Sequence, residues 1–139
     1  MRPEIFDNNE EGIKVVYKND QWSVSIKNWK PDNDIMGVGK LEVHHTTDEQ
    51  FILTAGKALL ITADERDGVF SNIELTPLEI GKVVHVPMEQ WFFSITQKDT
   101  KTIYVQRADC SMENSEIKYL SPEQVAYIQE CAKKLFERV

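Results

Sequence analysis

The sequence predicts an all-β protein, built as an antiparallel sandwich or barrel and followed by one C-terminal α-helix. Short runs of β-branched and aromatic residues alternate with turn residues along most of the chain. Helical periodicity occurs only after Ser121. At 139 residues the chain has the length of one domain, so residues 1–139 are expected to form a single folded unit.

The first two predicted strands are Ile13–Tyr17 and Trp22–Trp29, with turn residues between them. Apolar and polar residues alternate along the second strand, which is typical of a strand with one buried face. The buried face is expected to carry Trp22, Val24 and Ile26, and the exposed face Ser23, Ser25 and Lys27.

Further strands continue this pattern as far as Arg107, so the predicted barrel covers about residues 13–107. Glycine, proline and Asp-Gly turns separate the strands. The predicted segments are Leu41–His44, Glu49–Thr54, Lys57–Thr62, Ser71–Leu75, Lys82–Val86, Trp91–Thr96 and Thr102–Arg107.

The end of the chain predicts a polar linker over residues 108–120 and a helix over residues 121–138. Ser121 and Gln124 have the spacing of a capping box, and Pro122 occupies the first helical position, where its missing N–H costs nothing. Apolar residues then recur at helical spacing from Val125 onwards. We expect this helix to lie on the outside of the barrel or across a dimer seam.

Composition and charge exclude several classes of partner. Hydrophobic residues make up 41% and charged residues 28%, and the net charge is -7. This charge repels phosphate backbones, so we expect no nucleic-acid partner. No apolar stretch has the length of a membrane span or of a signal peptide. Cys110 and Cys131 stand alone, which is typical of reduced cysteines, so a cytoplasmic location is expected.

Two short segments resemble the conserved motifs of the cupin superfamily. Glu49 and Gly56 enclose an apolar strand with the spacing that ends the first motif, and Gly37 lies upstream of it. Gly81 and Pro87 have the spacing that opens the second motif. The segments occur in the expected order and cover roughly a third of the chain. The resemblance implies a double-stranded β-helix, or jelly roll, in which both motifs face one pocket.

The resemblance also implies a divalent metal, held by two histidines and a glutamate of the first motif and a histidine of the second. This sequence departs from that pattern. Phe92 occupies the position of the second-motif histidine, and Glu89 and Thr96 replace its glycine and asparagine. A phenyl ring has no lone pair for a metal. We therefore expect no bound metal and no other cofactor.

The register of the first motif allows two alternatives. One places His44 at the second histidine position, with Glu42 replacing the first histidine; the other places His45 and Val43 there. Strand alternation puts the two pairs on opposite faces. We favour Glu42 and His44 facing inward, because Glu49 then completes a polar cluster.

The predicted ligand-binding residues combine hydrogen-bonding groups with apolar walls, which is the usual composition of a small-molecule pocket. They are Glu42, His44, Glu49, Phe51, Phe92 and Tyr104. Tyr104 and Gln106 share one strand face, which lines either the pocket or the exterior. His85 is expected on an outer or inter-sheet face. No catalytic residue is assigned.

Three functions are compatible with these residues. The first is a metal-free protein that binds a sugar or another small polar metabolite. The second is a metal-independent sugar isomerase or epimerase, with His44 and Tyr104 transferring protons. The third is a metal-dependent cupin enzyme, against which Phe92 argues. We also expect a homodimer, with Trp29 and Trp91 as exposed aromatic surface.

Overall fold

The computed structural model describes residues 1–138 of the chain. Ten strands precede a single α-helix, α1 (Pro122–Arg138), and two one-turn 3-10 helices cover Pro31–Asn33 and Met112–Asn114. The strands are β1 (Ile13–Lys18), β2 (Trp22–Asn28), β3 (Lys40–His44), β4 (Glu49–Ala55), β5 (Ala58–Arg66), β6 (Val69–Pro77), β7 (Val83–Val86), β8 (Trp91–Thr96), β9 (Lys101–Arg107) and β10 (Ser115–Tyr119).

The strands form two five-stranded antiparallel sheets. The first sheet has the order β1-β2-β9-β4-β7, and the second has the order β10-β3-β8-β5-β6. Each sheet mixes strands that are distant in the sequence, as jelly-roll connectivity requires. The sheets do not close on each other, so both keep free edges. The predicted all-β jelly roll with a C-terminal helix is confirmed.

Two hydrophobic cores stabilise this arrangement. The first lies between the sheets and includes Phe51, Leu60 and Phe92. The second lies on the outer face of the second sheet, where Leu41 and other side chains pack against α1. Because successive side chains of a strand point to opposite faces, β3 and β8 contribute alternate residues to both sides of the second sheet. The helix therefore covers the outside of the barrel, which is one of its two expected positions.

The helix begins with the predicted capping box. The Gln124 backbone N–H donates to Ser121 Oγ at 3.2 Å, and the Ser121 N–H donates to Gln124 Oε1 at 3.1 Å. The Gln124 amide also donates to the Phe70 carbonyl oxygen at 3.1 Å, which ties the first turn to β6. The cap satisfies backbone donors that a helix start otherwise leaves without partners.

The prediction of a polar linker over residues 108–120 is wrong for its second half. Residues Ser115–Tyr119 form β10, an edge strand that pairs with β3 in the second sheet. The polar residues Glu116 and Lys118 alternate with Ile117, so the segment has the period of a strand but little apolar content. Hydrogen bonding to β3 stabilises this segment as a strand, although its composition does not predict one.

Two tryptophans have the opposite exposure to the one that the sequence predicts. Trp91 is only 6% exposed and packs against Phe70 with 5.2 Å between ring centroids, so it lies in the core and is not available as dimer surface. Trp22 is 44% exposed, whereas Ser23 and Ser25 of the same strand are buried. The polar side of β2 faces the space between the sheets, because the barrel interior is partly polar at this end.

Gly56 ends β4 in a conformation that only glycine adopts without strain. Its φ is +77°, and an added Cβ would lie 2.6 Å from the Cα and 2.8 Å from the N atom of Thr100. Gly68 has a similar φ of +82°, but an added Cβ would meet nothing within 4 Å. A comparison of substitutions at these two positions therefore separates the cost of backbone strain from the cost of steric overlap.

We predict that Gly56→Ala destabilises the protein by about 3 kcal/mol or more, because backbone strain and a clash with Thr100 act together. Gly68→Ala, the matched control, should cost only about 1–2 kcal/mol from backbone strain. Urea denaturation of both variants measures the difference. Equal losses of unfolding free energy would contradict the role assigned to Thr100.

Candidate functional site

A cavity of about 300 Å³ opens between the two sheets. Its walls are Ile13, Lys27, Lys30, Lys40, Glu42, His44, Glu49, Phe93, Tyr104, Gln106, Met112 and Ile117. A larger groove of about 450 Å³ lies outside the barrel between β6 and α1, and it contains none of the predicted site residues. The cavity between the sheets, where the charged residues converge, is therefore the candidate functional site.

Strand alternation brings the polar side chains together. Lys40, Glu42 and His44 alternate along β3 and line the cavity from the second sheet. Glu49 of β4 is paired with Gln106 of β9, and both line the cavity from the first sheet. The missed strand β10 completes one wall with Ile117.

His44 is held by contacts to both of its ring nitrogens. Nδ1 lies 2.7 Å from Ser115 Oγ and 3.4 Å from Cys110 Sγ, and Nε2 lies 3.1 Å from Glu49 Oε2. The first two partners come from β10 and the loop before it, so the segment that was predicted as a linker positions this imidazole. Its ring also lies 5.4 Å from that of Phe92.

Glu49 is the most deeply buried carboxylate of the site, at 4% exposure. Its Oε2 atom lies at ion-pair distance from His44, but within residues 1–138 it receives no hydrogen bond of good geometry. A buried carboxylate oxygen without a donor is costly. The Oε2 atom of Glu49 is therefore enclosed, and the charge of His44 at 3.1 Å is what compensates its burial.

Burial and charge act in opposite directions on this pair. Burial lowers the pKa of His44, but its contacts with Cys110 and with the Glu49 carboxylate outweigh burial and raise the pKa to about 10. Burial raises the pKa of Glu49, while its contact with His44 opposes this shift. A protonated imidazole beside a carboxylate is the arrangement that lowers the cost of burying either group.

An aromatic cluster forms the floor of the cavity. The ring of Phe51 lies 5.6 Å from that of Phe92 and 4.4 Å from that of Tyr104, both in edge-to-face contact. The Tyr104 hydroxyl lies 3.4 Å from Ser94 Oγ, and burial raises the pKa of Tyr104. Of these three predicted site residues, only Tyr104 lines the cavity, and Phe51 and Phe92 pack beneath it.

The structure adds lysines to the predicted site. Lys27 of β2 lines the cavity together with Lys30 and Lys40. Lys27 lies on the face of β2 that the sequence predicts to be exposed. The alternation of β2 correctly groups Lys27 with Ser23 and Ser25, but this face points to the interior and not to solvent. Lys40 had no signal of its own, because charged residues on a short strand are usually solvent-exposed.

The other two histidines lie outside the cavity. His45 contacts Glu89 Oε1 at 2.9 Å and Glu116 Oε2 at 2.7 Å on the surface. His85 is exposed, in contact with Gln50 and with Asp48 at 3.3 Å, on an outer face as expected. The structure thus places Glu42, His44 and Glu49 in the cavity and His45 outside it.

The residues of this site do not fit the divalent metal that the cupin motifs imply. The second-motif position holds the buried Phe92, and both nitrogens of His44 are engaged by Ser115 and Glu49. The Lys27 ammonium also lines the cavity. Within the described chain, no group of three or more His, Cys, Asp or Glu side chains is arranged to hold a metal ion.

Comparison with solved structures identifies the fold. A variant of Streptomyces Pac13 with uridine superposes with a TM-score of 0.58 over 89% of this chain and 98% of that chain, at 10% sequence identity. A cupin superfamily protein from Desulfitobacterium hafniense superposes with a TM-score of 0.51 over 76% of this chain and 84% of that chain, at 16% identity. The chain has the cupin fold.

A Bacillus halodurans protein also shares this cupin fold, with a TM-score of 0.58 over 91% of this chain and 94% of that chain, at 14% identity. Pac13 is described as a nucleoside dehydratase. No protein-family model matches the chain, and no curated protein matches it. None of the helices in residues 1–138 has the length and apolar content to cross a membrane.

We predict that His44 is protonated at pH 7.5 in the folded protein. Because its pKa is raised above that of the unfolded chain, His44 stabilises the fold fully below pH 6.5, and this contribution is lost as pH rises through about 10. Long-range ¹H–¹⁵N NMR of the imidazole nitrogens measures the charge directly.

Glu49→Gln is the matched control, because it keeps the shape of the side chain and removes its charge. The His44 imidazole of this variant should titrate at a lower pH than that of the wild type. A neutral imidazole at pH 7.5 in the wild-type protein would show that burial outweighs the Glu49 contact.

Proposed function

We propose that this protein binds a sugar or a similar small hydroxylated molecule in the cavity, without a bound metal. The observation that carries this proposal is the Glu49 carboxylate, which is buried at the cavity wall and has His44 Nε2 at 3.1 Å from its Oε2 atom. A ligand hydroxyl group donates a further hydrogen bond to this carboxylate. Binding then recovers part of the free energy that burying the carboxylate costs in the empty protein.

The rest of the cavity supports a ligand of this class. Its volume of about 300 Å³ lies near the lower end for small-molecule pockets, which suits a monosaccharide-sized molecule. Glu42 and Gln106 add further polar groups to the wall. The edge-to-face rings of Phe51 and Phe92 support the floor, and their contact with a ligand stays a prediction.

The structural neighbours support the size and chemistry of such a ligand. A Pac13 structure contains uridine, a molecule that carries a ribose. A barrel of this fold therefore accommodates a hydroxylated ring. At 10% identity this likeness supports the type of ligand and carries no residue roles to this chain.

We predict that Glu49→Gln weakens binding of the cognate sugar by about tenfold or more, because the amide loses the charge that strengthens a hydroxyl hydrogen bond. The measurement is a thermal-shift screen of neutral sugars, sugar acids and nucleosides, followed by calorimetry on each hit. Glu79→Gln, on an exposed glutamate paired with Lys82, is the control and should bind as the wild type does. A panel without any hit, or equal affinity in both variants, would contradict the proposal.

A metal-independent isomerase or epimerase is the second candidate. Lys27 of the first sheet and His44 of the second sheet both line the cavity, so a bound substrate lies between an amine and an imidazole. Proton transfer at carbon requires such groups on two sides of the substrate. The raised pKa of His44 suits it as the acid, and the lowered pKa of Lys27, about 8, suits it as the base. Hits incubated in D₂O separate the candidates, because only an enzyme incorporates deuterium at carbon.

We also propose a homodimer that forms through β1, in a cytoplasmic protein. Support for the dimer comes from this free sheet edge, where Val15 and Tyr17 are 54% and 41% exposed. Apolar residues on an unpaired strand invite pairing with a second chain. Cys110 and Cys131 are free cysteines, which suits a reducing compartment.

We predict a particle of twice the 16.1 kDa chain mass by light scattering at micromolar concentration. Val15→Glu should convert it to a monomer, because it places a charge within the apolar edge. Val69→Glu, on an exposed valine of the β5–β6 hairpin, is the control and should remain dimeric. A monomeric wild-type protein would refute the dimer.

A further inference from the structure

Lys27 stands apart from the other lysines of the cavity. Its Nζ atom lies 5.8 Å from the ring centroid of Phe93 and 5.7 Å from that of Tyr104, over two aromatic faces. Within residues 1–138, no carboxylate lies at ion-pair distance from this ammonium group. Aromatic faces stabilise a cation only weakly compared with a carboxylate partner.

The neighbouring lysines are already paired. Lys40 Nζ lies 3.0 Å from Asp32 Oδ2, and Lys30 Nζ lies 3.7 Å from the same oxygen. Asp32 thus serves both of these lysines and leaves Lys27 without a partner. Burial and the charge of Lys30 lower the pKa of Lys27 to about 8, against the opposing influence of Glu42, Glu49 and Asp32. The fold therefore maintains a half-buried amine without a carboxylate partner of its own.

The cavity consequently presents one unpaired cation, Lys27, and a carboxylate, Glu49, whose Oε2 atom has only the His44 ion pair. We propose that the ligand is a hydroxylated carboxylic acid, whose carboxylate binds Lys27 while one of its hydroxyl groups donates to Glu49. This inference rests on the proposed function, because it names the class of molecule that occupies the same cavity.

The number of unpaired cations favours a carboxylate over a phosphate. Lys27 offers one unpaired ammonium group, which matches a monoanion, whereas a dianion would need a second, and Lys30 and Lys40 are already paired with Asp32. Charge also favours a hydroxyl group over an ammonium group at Glu49. His44, whose pKa is raised to about 10, already places a cation beside that carboxylate.

The proposal predicts a pH dependence that neutral ligands do not share. Above pH 8 the Lys27 amine is deprotonated in the free protein, so binding a carboxylate requires the uptake of a proton. Affinity for an acid should fall by about tenfold per pH unit above that point. The titratable groups that share the cavity with Lys27 or influence its charge are those of Lys30, Asp32, Lys40, Glu42, His44, Glu49 and Tyr104.

The test compares sugars that differ only at one carbon. Glucuronate and galacturonate are matched against glucose and galactose, with glucosamine and glucose 6-phosphate as charge controls, and affinities are measured by calorimetry at pH 7 and pH 9. We expect at least one acid to bind the wild-type protein about tenfold or more tightly than its neutral counterpart at pH 7. Lys27→Met should remove this preference. Lys82→Met, on an exposed lysine, should keep it.

Lys27→Met is also expected to fold, and to be more stable than the wild type at pH 7. Between pH 8 and 10.5 the unfolded chain retains a Lys27 proton that the folded chain has released, so the unfolding free energy of the wild type should rise relative to that of the variant. The loss of the His44 contribution over the same pH range is common to both proteins. Thermal unfolding across this pH range measures both effects, so a loss of acid binding is separated from a loss of folding.

Several results overturn the inference: equal affinity for acids and neutral sugars, tighter binding of the amine or the phosphate, an acid preference that survives in Lys27→Met, or no binding of any acid. If no acid binds more tightly than its neutral counterpart, but a neutral sugar binds the wild type and is lost in Glu49→Gln, the inference is overturned and the proposed function stands. No binding by any member of the panel overturns both.

Discussion

The burial of Glu49 is the constraint on which the organisation of the cavity depends. A carboxylate at 4% exposure needs positive charge and donors around it, and His44 supplies the nearest charge at 3.1 Å. That imidazole is in turn oriented by Ser115 of the edge strand β10. The last strand of the second sheet thus fixes the group that compensates the buried carboxylate of the first sheet.

The second sheet serves two environments at once. Its inner face carries Glu42 and His44 toward the cavity, and its outer face carries Leu41 and Val43 into the core beneath α1. Because the helix buries the outer face, the stability of the second sheet does not rest on the core between the sheets alone. The interior of the barrel can therefore hold charged groups that an isolated two-sheet sandwich would have to replace by apolar ones.

The poor fit of these residues to a divalent metal follows from the same packing. Phe92 lies beneath His44 and joins the aromatic floor with Phe51, where it adds to the core between the sheets. A side chain that contributes apolar contacts at this position cannot also donate to a cation. His44 and Glu49 instead form an ion pair, and Lys27 adds a positive charge from the opposite sheet.

The sequence by itself determined most of the strands, the capped helix and the inward position of Glu42, His44 and Glu49. Alternation and helix capping are local, so they can be read from neighbouring residues. Only the tertiary structure decided that the polar face of β2 is the inner one, that Ser115 belongs to a strand, and that Asp32 pairs with Lys30 and Lys40 while Lys27 stays unpaired. Charge pairing and burial depend on which strands become neighbours across the two sheets, and a local pattern does not contain that information.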